Sequence, residues 1–528
     1  MTDLRRRALL QGLLPTLLAA GAAPALAQPA PPPGPAPQTP PQPAPFRHED
    51  VVRRARELAA VPYDPAVPPL PEPLARLDFD AYRDLRFRPD KALLAGAGPF
   101  RLHLFHLGFL YQRPVTVNVV RDGVPVPVPY QAQLFDFGRT RIERPLPVNL
   151  GFAGFRLHYP LNDPRVFDEL IAFLGASYFR FLGRDQLYGL SARGIALDVG
   201  DEAAEEFPVF REFWIEPPPA GADRAVVHAL LDGAALTGAY RFEVYPGPET
   251  SVEVQATLFP RRPLAGLGLA PLTSMFFSGE GDRRLADDFR PEVHDSDGLL
   301  LHSGAGEWLW RPLRNPAEKA VSAFLDNNPR GFGLMQRDRL FENYQDLEAG
   351  YDRRPGYWVE PVGSWGEGRV ELVELPTGDE TKDNVVAYWE PRRAYEPGET
   401  VTVAYRLRAI GDSSRLHPGG RAVNSFQARP RASGSADPGD PTARRFIIDF
   451  AGGALDYYLA DPGQVQVVPS TSAGRITHSF VVPNEPIRGF RAAFDVKLEP
   501  GQSTDLRAYL RAGPRALTET WTLPWTAP

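Results

Sequence analysis

Two short acidic segments carry the residues best suited to chemistry in this chain. They read His294-Asp295-Ser296-Asp297-Gly298 and Asp379-Glu380-Thr381-Lys382-Asp383-Asn384. Tryptophans flank both: Trp308 and Trp310 follow the first, Trp358 and Trp365 precede the second, and Trp389 closes it. Carboxylates among aromatic rings suit a carbohydrate site, because ring faces stack on the C–H faces of a sugar while carboxylates accept hydrogen bonds from its hydroxyls. Two carboxyls held at different pKa values can serve as acid and base on a glycosidic bond. The same residues also read as acidic turns beside core tryptophans, and Trp308 and Trp310 suit core packing as well as sugar stacking. Asp295 and Asp297, alternate residues sharing one strand face, raise the question of a cation, but their histidine and serine neighbours do not complete an oxygen cage. No metal and no cofactor are expected. Asp297-Gly298 also reads as a turn in which Asp297 bonds the local backbone, and Asp379 as a solvated turn residue.

The N-terminus sets the compartment. Arg5-Arg6-Arg7 precedes an apolar run from Ala8 to Leu18, and Ala25-Leu26-Ala27 supplies a small-x-small cleavage site, so residues 1–27 read as an export signal. Arg6-Arg7-Ala8-Leu9-Leu10 fits the twin-arginine pattern, although three arginines also make an ordinary charged leader. Gly12 and Pro15 interrupt the run, which is too short to span a bilayer, and no later stretch comes closer. A periplasmic protein that does not span the membrane is expected. Residues 28–45, almost all proline, alanine and glutamine, read as an extended spacer. The chain has no cysteine, which removes disulfides, thiolate metal sites and cysteine nucleophiles together. Its net charge is −7 with interspersed signs, so nucleic acid is not an expected partner.

Positioning the acids falls to strands. The 58 prolines and 47 glycines suit a β-rich chain with many turns. Strand-like segments are Val115–Val120, Ala225–Leu231, Tyr240–Tyr245, Ser251–Leu258, Arg369–Leu375 and Asn384–Trp389. Helices are expected at Glu49–Ala60 and after Asp163-Pro164, where Val166, Phe167, Leu170, Ile171 and Leu174 form one helical face. A linker is read at 390–398. Beyond it, Val401–Leu407, Arg445–Phe450, Gln464–Val468, Arg475–Val482, Gly489–Val496, Thr504–Leu510 and Thr518–Leu523 alternate as short strands, the pattern of an immunoglobulin-like sandwich at 399–528. Residues 46–389 are too long for that design and read as a larger β-sandwich holding both acidic segments. The fold class is therefore all-β, a large N-terminal sandwich followed by a small immunoglobulin-like one. The glycine- and proline-rich stretch 415–444 reads either as a mobile lid or as a disordered loop.

Long segments of the chain resemble the periplasmic glucan biosynthesis proteins of the G and D type. They include Phe87-Arg88-Pro89-Asp90-Lys91-Ala92-Leu93, Leu150-Gly151-Phe152-Ala153-Gly154-Phe155-Arg156-Leu157-His158-Tyr159-Pro160-Leu161 and Phe173-Leu174-Gly175-Ala176-Ser177-Tyr178-Phe179-Arg180. Glu206-Phe207-Pro208-Val209-Phe210-Arg211-Glu212-Phe213-Trp214, Pro271-Leu272-Thr273-Ser274-Met275 and Gly306-Glu307-Trp308-Leu309-Trp310-Arg311-Pro312-Leu313 continue the match in order. The resemblance implies the two-sandwich fold and a role in making osmoregulated periplasmic glucans with a β-1,2-linked backbone. Some D-type members look like inverting endo-β-1,2-glucanases, and some relatives transfer the chain instead of hydrolysing it. By position the resemblance makes Asp383 the general acid and Asp295 the general base, with Glu380 and Tyr351 holding sugar and the proton path. G-type members keep much of this site. The alternative it leaves open is a non-catalytic protein that binds nascent glucan and presents it to the inner-membrane synthesis machinery.

Overall fold

Apolar residues alternate with polar ones along most of the chain, and the strands they make bury one face each. In Val401–Ile410, Val403, Tyr405 and Leu407 point inward while Thr402 and Arg406 are exposed. The computed structural model describes residues 45–528 apart from 97, 143–144, 201–204, 219–220, 222, 283–286, 432–433, 435 and 437–438; the expected export signal, residues 1–27, and residues 28–44 of the expected spacer lie outside the described residues.

Two large sheets face one another. One runs in the order Arg101–Phe105, Gly154–Tyr159, Asp168–Leu174, Tyr178–Phe181, Ser191–Arg193, Leu267–Ser274, Val385–Pro391, Glu367–Glu374 and Ala320–Asn327. The other is 15-stranded, with Ser251–Pro260, Leu236–Tyr245, Ala225–Asp232 and Val209–Glu216 as neighbours on one side of Val401–Ile410. Their inner faces interlock through aromatic rings: Phe173 and Phe179 meet Phe242 at 5.1 and 5.2 Å, and Phe181 stacks on Tyr357 at 4.3 Å. The Tyr357 hydroxyl also donates to the Phe181 carbonyl and accepts from its N–H, both at 2.7 Å, so a polar tip buried between the sheets is fully paired. The expected N-terminal helix forms at His48–Ala59 and covers the outer face of the second sheet, where Val51 and Ala55 pack on Trp214, Leu230 and Phe259.

A second core lies toward the C-terminus. Phe446, Phe450, Phe490, Phe494, Trp521 and Trp525 pack there with Leu300, Trp310, Met335 and Trp358 from the middle of the chain. Val401–Ile410, read from the sequence as the first strand of the small sandwich, pairs with Ser251–Pro260 on one side and Gly356–Val362 on the other. Thr520–Thr526 pairs in parallel with Trp308–Pro312.

Two expectations fail. The segment after Asp163 is not a helix: Asp163 Oδ1 accepts from the Arg165 N–H at 2.8 Å in a tight turn, and Asp168–Leu174 then pairs between two strands. The stretch 415–444 is not simply a lid or a disordered loop, because Arg421–Ala428 is a strand paired with Ala443–Ala451. That strand is held by a buried ion pair. Arg337 donates from both Nη atoms to Glu519, at 2.6 and 2.9 Å, and from Nη1 to the Ala422 carbonyl at 2.7 Å; Glu519 Oε1 accepts from the Ala422 N–H at 2.9 Å. The Arg337 guanidinium also lies 3.5 Å over the Trp310 ring.

Removing one partner of a buried pair strands the other charge, which costs about 3–5 kcal/mol. Glu519→Ala should therefore lower the unfolding free energy measured in urea by that much; a loss below about 1 kcal/mol, typical of an exposed pair, would contradict the assignment.

Candidate functional site

The first acidic segment crosses from a two-stranded ribbon into the long sheet. Val293–His294 pairs with Phe276–Ser278, and Gly298–His302 runs between Trp308–Pro312 and Gly331–Met335. In between, the Asp295 N–H donates to the Met275 carbonyl at 2.8 Å and the Asp297 N–H to that of Met335 at 2.9 Å. The backbone so fixed sends the two carboxylates to different partners. Asp295 is buried and paired with the Arg354 guanidinium. Asp297 Oδ2 accepts the N–H groups of Arg337 at 2.8 Å and Asp338 at 3.1 Å. Asp297-Gly298 is thus not a local turn. Gly298 opens a strand, and a Cβ there would lie 2.2 Å from the Trp310 ring.

The second segment precedes the strand Val385–Pro391. Asn384 pins it to the ribbon: its Nδ2 donates to the carbonyls of Phe276 and Leu375, each at 3.0 Å, and its Oδ1 accepts from the Phe276 N–H at 2.9 Å. Asp379 does form a turn, accepting from the Thr381 N–H at 2.8 Å. Asp383 is not buried, as the acid role would suggest; its side chain is 32% exposed, with Oδ2 3.9 Å from Arg180 Nη2. Burial lifts the Asp295 pKa above the usual carboxylate value; the charge and hydrogen bond of Arg354 oppose this, the Asp383 charge adds to it, and Arg180 opposes it. The Asp383 charge therefore reaches Asp295.

Arg354 connects these acids to Tyr351 and Glu380. It follows the one-turn helix Tyr351–Arg353, and its guanidinium lies 4.1 Å over the Tyr351 ring. The Tyr351 hydroxyl donates to Glu380 Oε2 at 2.9 Å, and Arg290 Nη1 donates to the same oxygen at 2.6 Å. Arg290 is held in turn by Asp288 at 2.8 Å and Asp346 at 3.1 Å. Tyr351, Arg354, Glu380 and Arg290 line a cleft of about 970 Å³. Phe289 and Leu347, 79% and 89% exposed, line it too and offer apolar surface.

The tryptophans flanking the acids in sequence are absent from the lining of this cleft. Trp310 and Trp358 belong to the second core, with Trp308 packed against it, and Trp365 packs against Trp389 at 6.3 Å. Sequence reading missed Arg354, Arg290 and Phe289. Arg354 alone left a trace, three residues after Tyr351 and so one tight turn away.

Behind Asp295, Glu292, His294 and Asp338 bring ligand-type atoms within 4.8 Å of one another. This is the one such group among the described residues, and its members are already joined by hydrogen bonds. His294 Nε2 lies 2.9 Å from Glu292 Oε2. Among the described residues no helix is long and apolar enough to cross a membrane.

An all-β protein with an acid-lined cleft is thus defined by fold and side chains together. The chain matches the family model described as Periplasmic glucan biosynthesis protein, MdoG, over residues 46–525. It is 45% identical over 487 residues to a protein of Vibrio cholerae named glucans biosynthesis protein G, covering 91% of this chain and 87% of that one. The protein of that name from Ralstonia nicotianae is 46% identical over 486 residues, 90% of this chain and 95% of the relative. The Shewanella frigidimarina one is 45% identical over 489 residues, 92% and 85% respectively. The chain belongs to the periplasmic glucan biosynthesis protein family.

The buried acids fix a pH dependence. Burial and the charges of Asp297, Glu292 and Glu280 hold the Asp338 pKa up to about 10; burial and the charges of Glu292 and Asp297 hold that of Glu280 up to about 7. Both folded values exceed the unfolded ones, so this stability is present below about pH 4 and is lost as pH rises through the folded values. His48, His103 and His106, which burial keeps neutral, add stability as pH rises to about 6.5, so melting temperature should fall between about pH 7 and pH 9, and Asp338→Asn should flatten that slope. An unchanged slope in the variant would contradict an origin in these two carboxyls.

Proposed function

We propose that the protein acts in periplasmic glucan biosynthesis, in the periplasm, on the β-1,2-linked glucan backbone, as an inverting endo-β-1,2-glucanase or a related transglycosylase. Family membership and the relatives named glucans biosynthesis protein G support the pathway. The observation that carries the chemistry is a buried Asp295, bound to the cleft residue Arg354, with an exposed Asp383 near enough for its charge to act on it.

In this reading a glucan segment lies along the cleft over Phe289 and Leu347. It also covers the exposed Asp383. Asp383 gives its proton to the glycosidic oxygen as the C–O bond breaks. A water on the opposite face attacks the anomeric carbon and loses its proton to Asp295, directly or through a short relay. Inverting carboxyl pairs stand about 6.5–9.5 Å apart to admit that water, and a relay extends the reach. A sugar hydroxyl in place of the water turns hydrolysis into transfer. General acid catalysis contributes about 10²–10⁴-fold, so Asp383→Asn should lower turnover of linear β-1,2-glucan by that factor while glucan affinity persists. Retained turnover would overturn the assignment.

The exposure of Asp383 also suits a second reading, in which the cleft binds nascent glucan and presents it to the inner-membrane synthesis machinery without cleaving it. Tight glucan binding by the wild-type protein with no turnover would favour that reading.

A further inference from the structure

The residue before Asp295 takes no part in the chemistry above, yet it is among the most enclosed polar groups of the described chain. His294 is fully buried. Its ring stacks on Phe276 at 5.4 Å and meets the edge of Tyr344 at 5.3 Å. Nδ1 lies 2.9 Å from Gln336 Oε1, and Nε2 lies 2.9 Å from Glu292 Oε2.

The orientation of Gln336 is settled by its other end. Its Nε2 donates to the backbone carbonyl of His294 at 2.9 Å and to that of Tyr351 at 3.3 Å. Carbonyls only accept, so the amide nitrogen must face them and the amide oxygen must face the imidazole. His294 Nδ1 therefore carries a proton. On the other side Glu292 also shares a hydrogen bond with the Asp338 side chain. Asp338 keeps its proton well above the ordinary carboxylate range, because burial and the charges of Asp297, Glu292 and Glu280 oppose its ionisation. It is therefore the donor in that bond. Glu292 accepts from both sides, and Nε2 of His294 carries a proton as well.

We propose that His294 is held as a doubly hydrogen-bonded imidazolium and acts, through Gln336, as the positioning residue that locks Tyr351 to the Asp295 turn. The groups facing the ring agree in sign. Glu292, Asp297, Asp338 and Glu280 are acids, and Tyr344 is a neutral phenol. Burial disfavours the charged ring, but the hydrogen bond and charge of Glu292 and the charges of Asp297 and Glu280 outweigh it. One amide then bridges the residue before the base and the residue that holds Glu380. Turning that amide over would set its oxygen against two carbonyl oxygens, so the Nδ1 proton and the bridge stand or fall together. The positioning role rests on the glucan-cleaving reading, whereas the charge state does not.

The test is ¹⁵N NMR of the protein with its nine histidines labelled. At a pH just above the ordinary imidazole value, one ring should still show two proton-bearing nitrogens, and Gln336→Met should shift that signal. A ring with a bare nitrogen at this position overturns the charge state. Loss of the Nε2 proton on adding zinc also overturns it, because the cluster would then be a metal site. For the positioning role, Gln336→Met should lower kcat on linear β-1,2-glucan about 100-fold with little change in KM. An unchanged kcat overturns that role. If the wild-type protein cleaves no glucan, the glucanase reading fails on its own, and the Tyr351 ring resonances of the variant decide instead. Unshifted resonances overturn the bridge.

Discussion

A carboxylate taken out of water must be given a partner, and the candidate site is organised around meeting that need for Asp295. Arg354 supplies the charge. Because Arg354 follows the single helical turn at Tyr351–Arg353, bringing it to Asp295 also lays it across the Tyr351 ring. The Tyr351 hydroxyl is thereby aimed at Glu380, which Arg290 holds from the other side. One pairing thus places three of the four residues assigned to the site. Asp383 arrives by a separate route, tied down by Asn384 to the ribbon that also carries Asp295.

The scaffold repeats the same economy of buried charge. The segment from Gly331 to Asp338 passes between the cores and is fixed at nearly every polar residue. Met335 accepts from Asp297, Gln336 bridges His294 and Tyr351, Arg337 pairs with Glu519, and Asp338 donates to Glu292. Arg337 thereby ties the C-terminal strands to the acidic segment, so packing of the second core and geometry of the cleft are not independent. Substitutions at Trp310 or Glu519, neither of which lines the cleft, should reach the site through this strand.

Much of the fold was legible because strand alternation is a local signal. Ser251–Pro260 and Val401–Ile410 show their buried faces directly in the sequence. The segment after Asp163 misled because Leu170, Ile171 and Leu174 also fit a helical face; pairing with Gly154–Tyr159, across a register shift at Leu157/His158, decided the matter. Arg421–Ala428 was hidden by the glycines and prolines around it, and its strand depends on a neighbour from Ala443–Ala451 and on Glu519. Within the site, the resemblance supplied Asp295, Asp383, Glu380 and Tyr351. Their partners Arg354, Arg290 and Gln336 were not legible, since each is selected by a contact between distant segments. The tryptophans, which the sequence left open between core and sugar, sit in or against the cores, because nearness in sequence to an acid does not bring an indole into its cleft.

The central claim is that Asp383 and Asp295 cleave a β-1,2-glucan with inversion, and one experiment addresses it directly. Purified linear β-1,2-glucan is incubated with the protein, and the anomeric signals and chain size are followed by NMR from the first minutes. The account predicts shorter chains whose new reducing ends appear first as the α-anomer, or, if a sugar hydroxyl is the acceptor, redistributed chains without new reducing ends. Chains that stay intact while demonstrably bound, or new ends that appear first as the β-anomer, would contradict it.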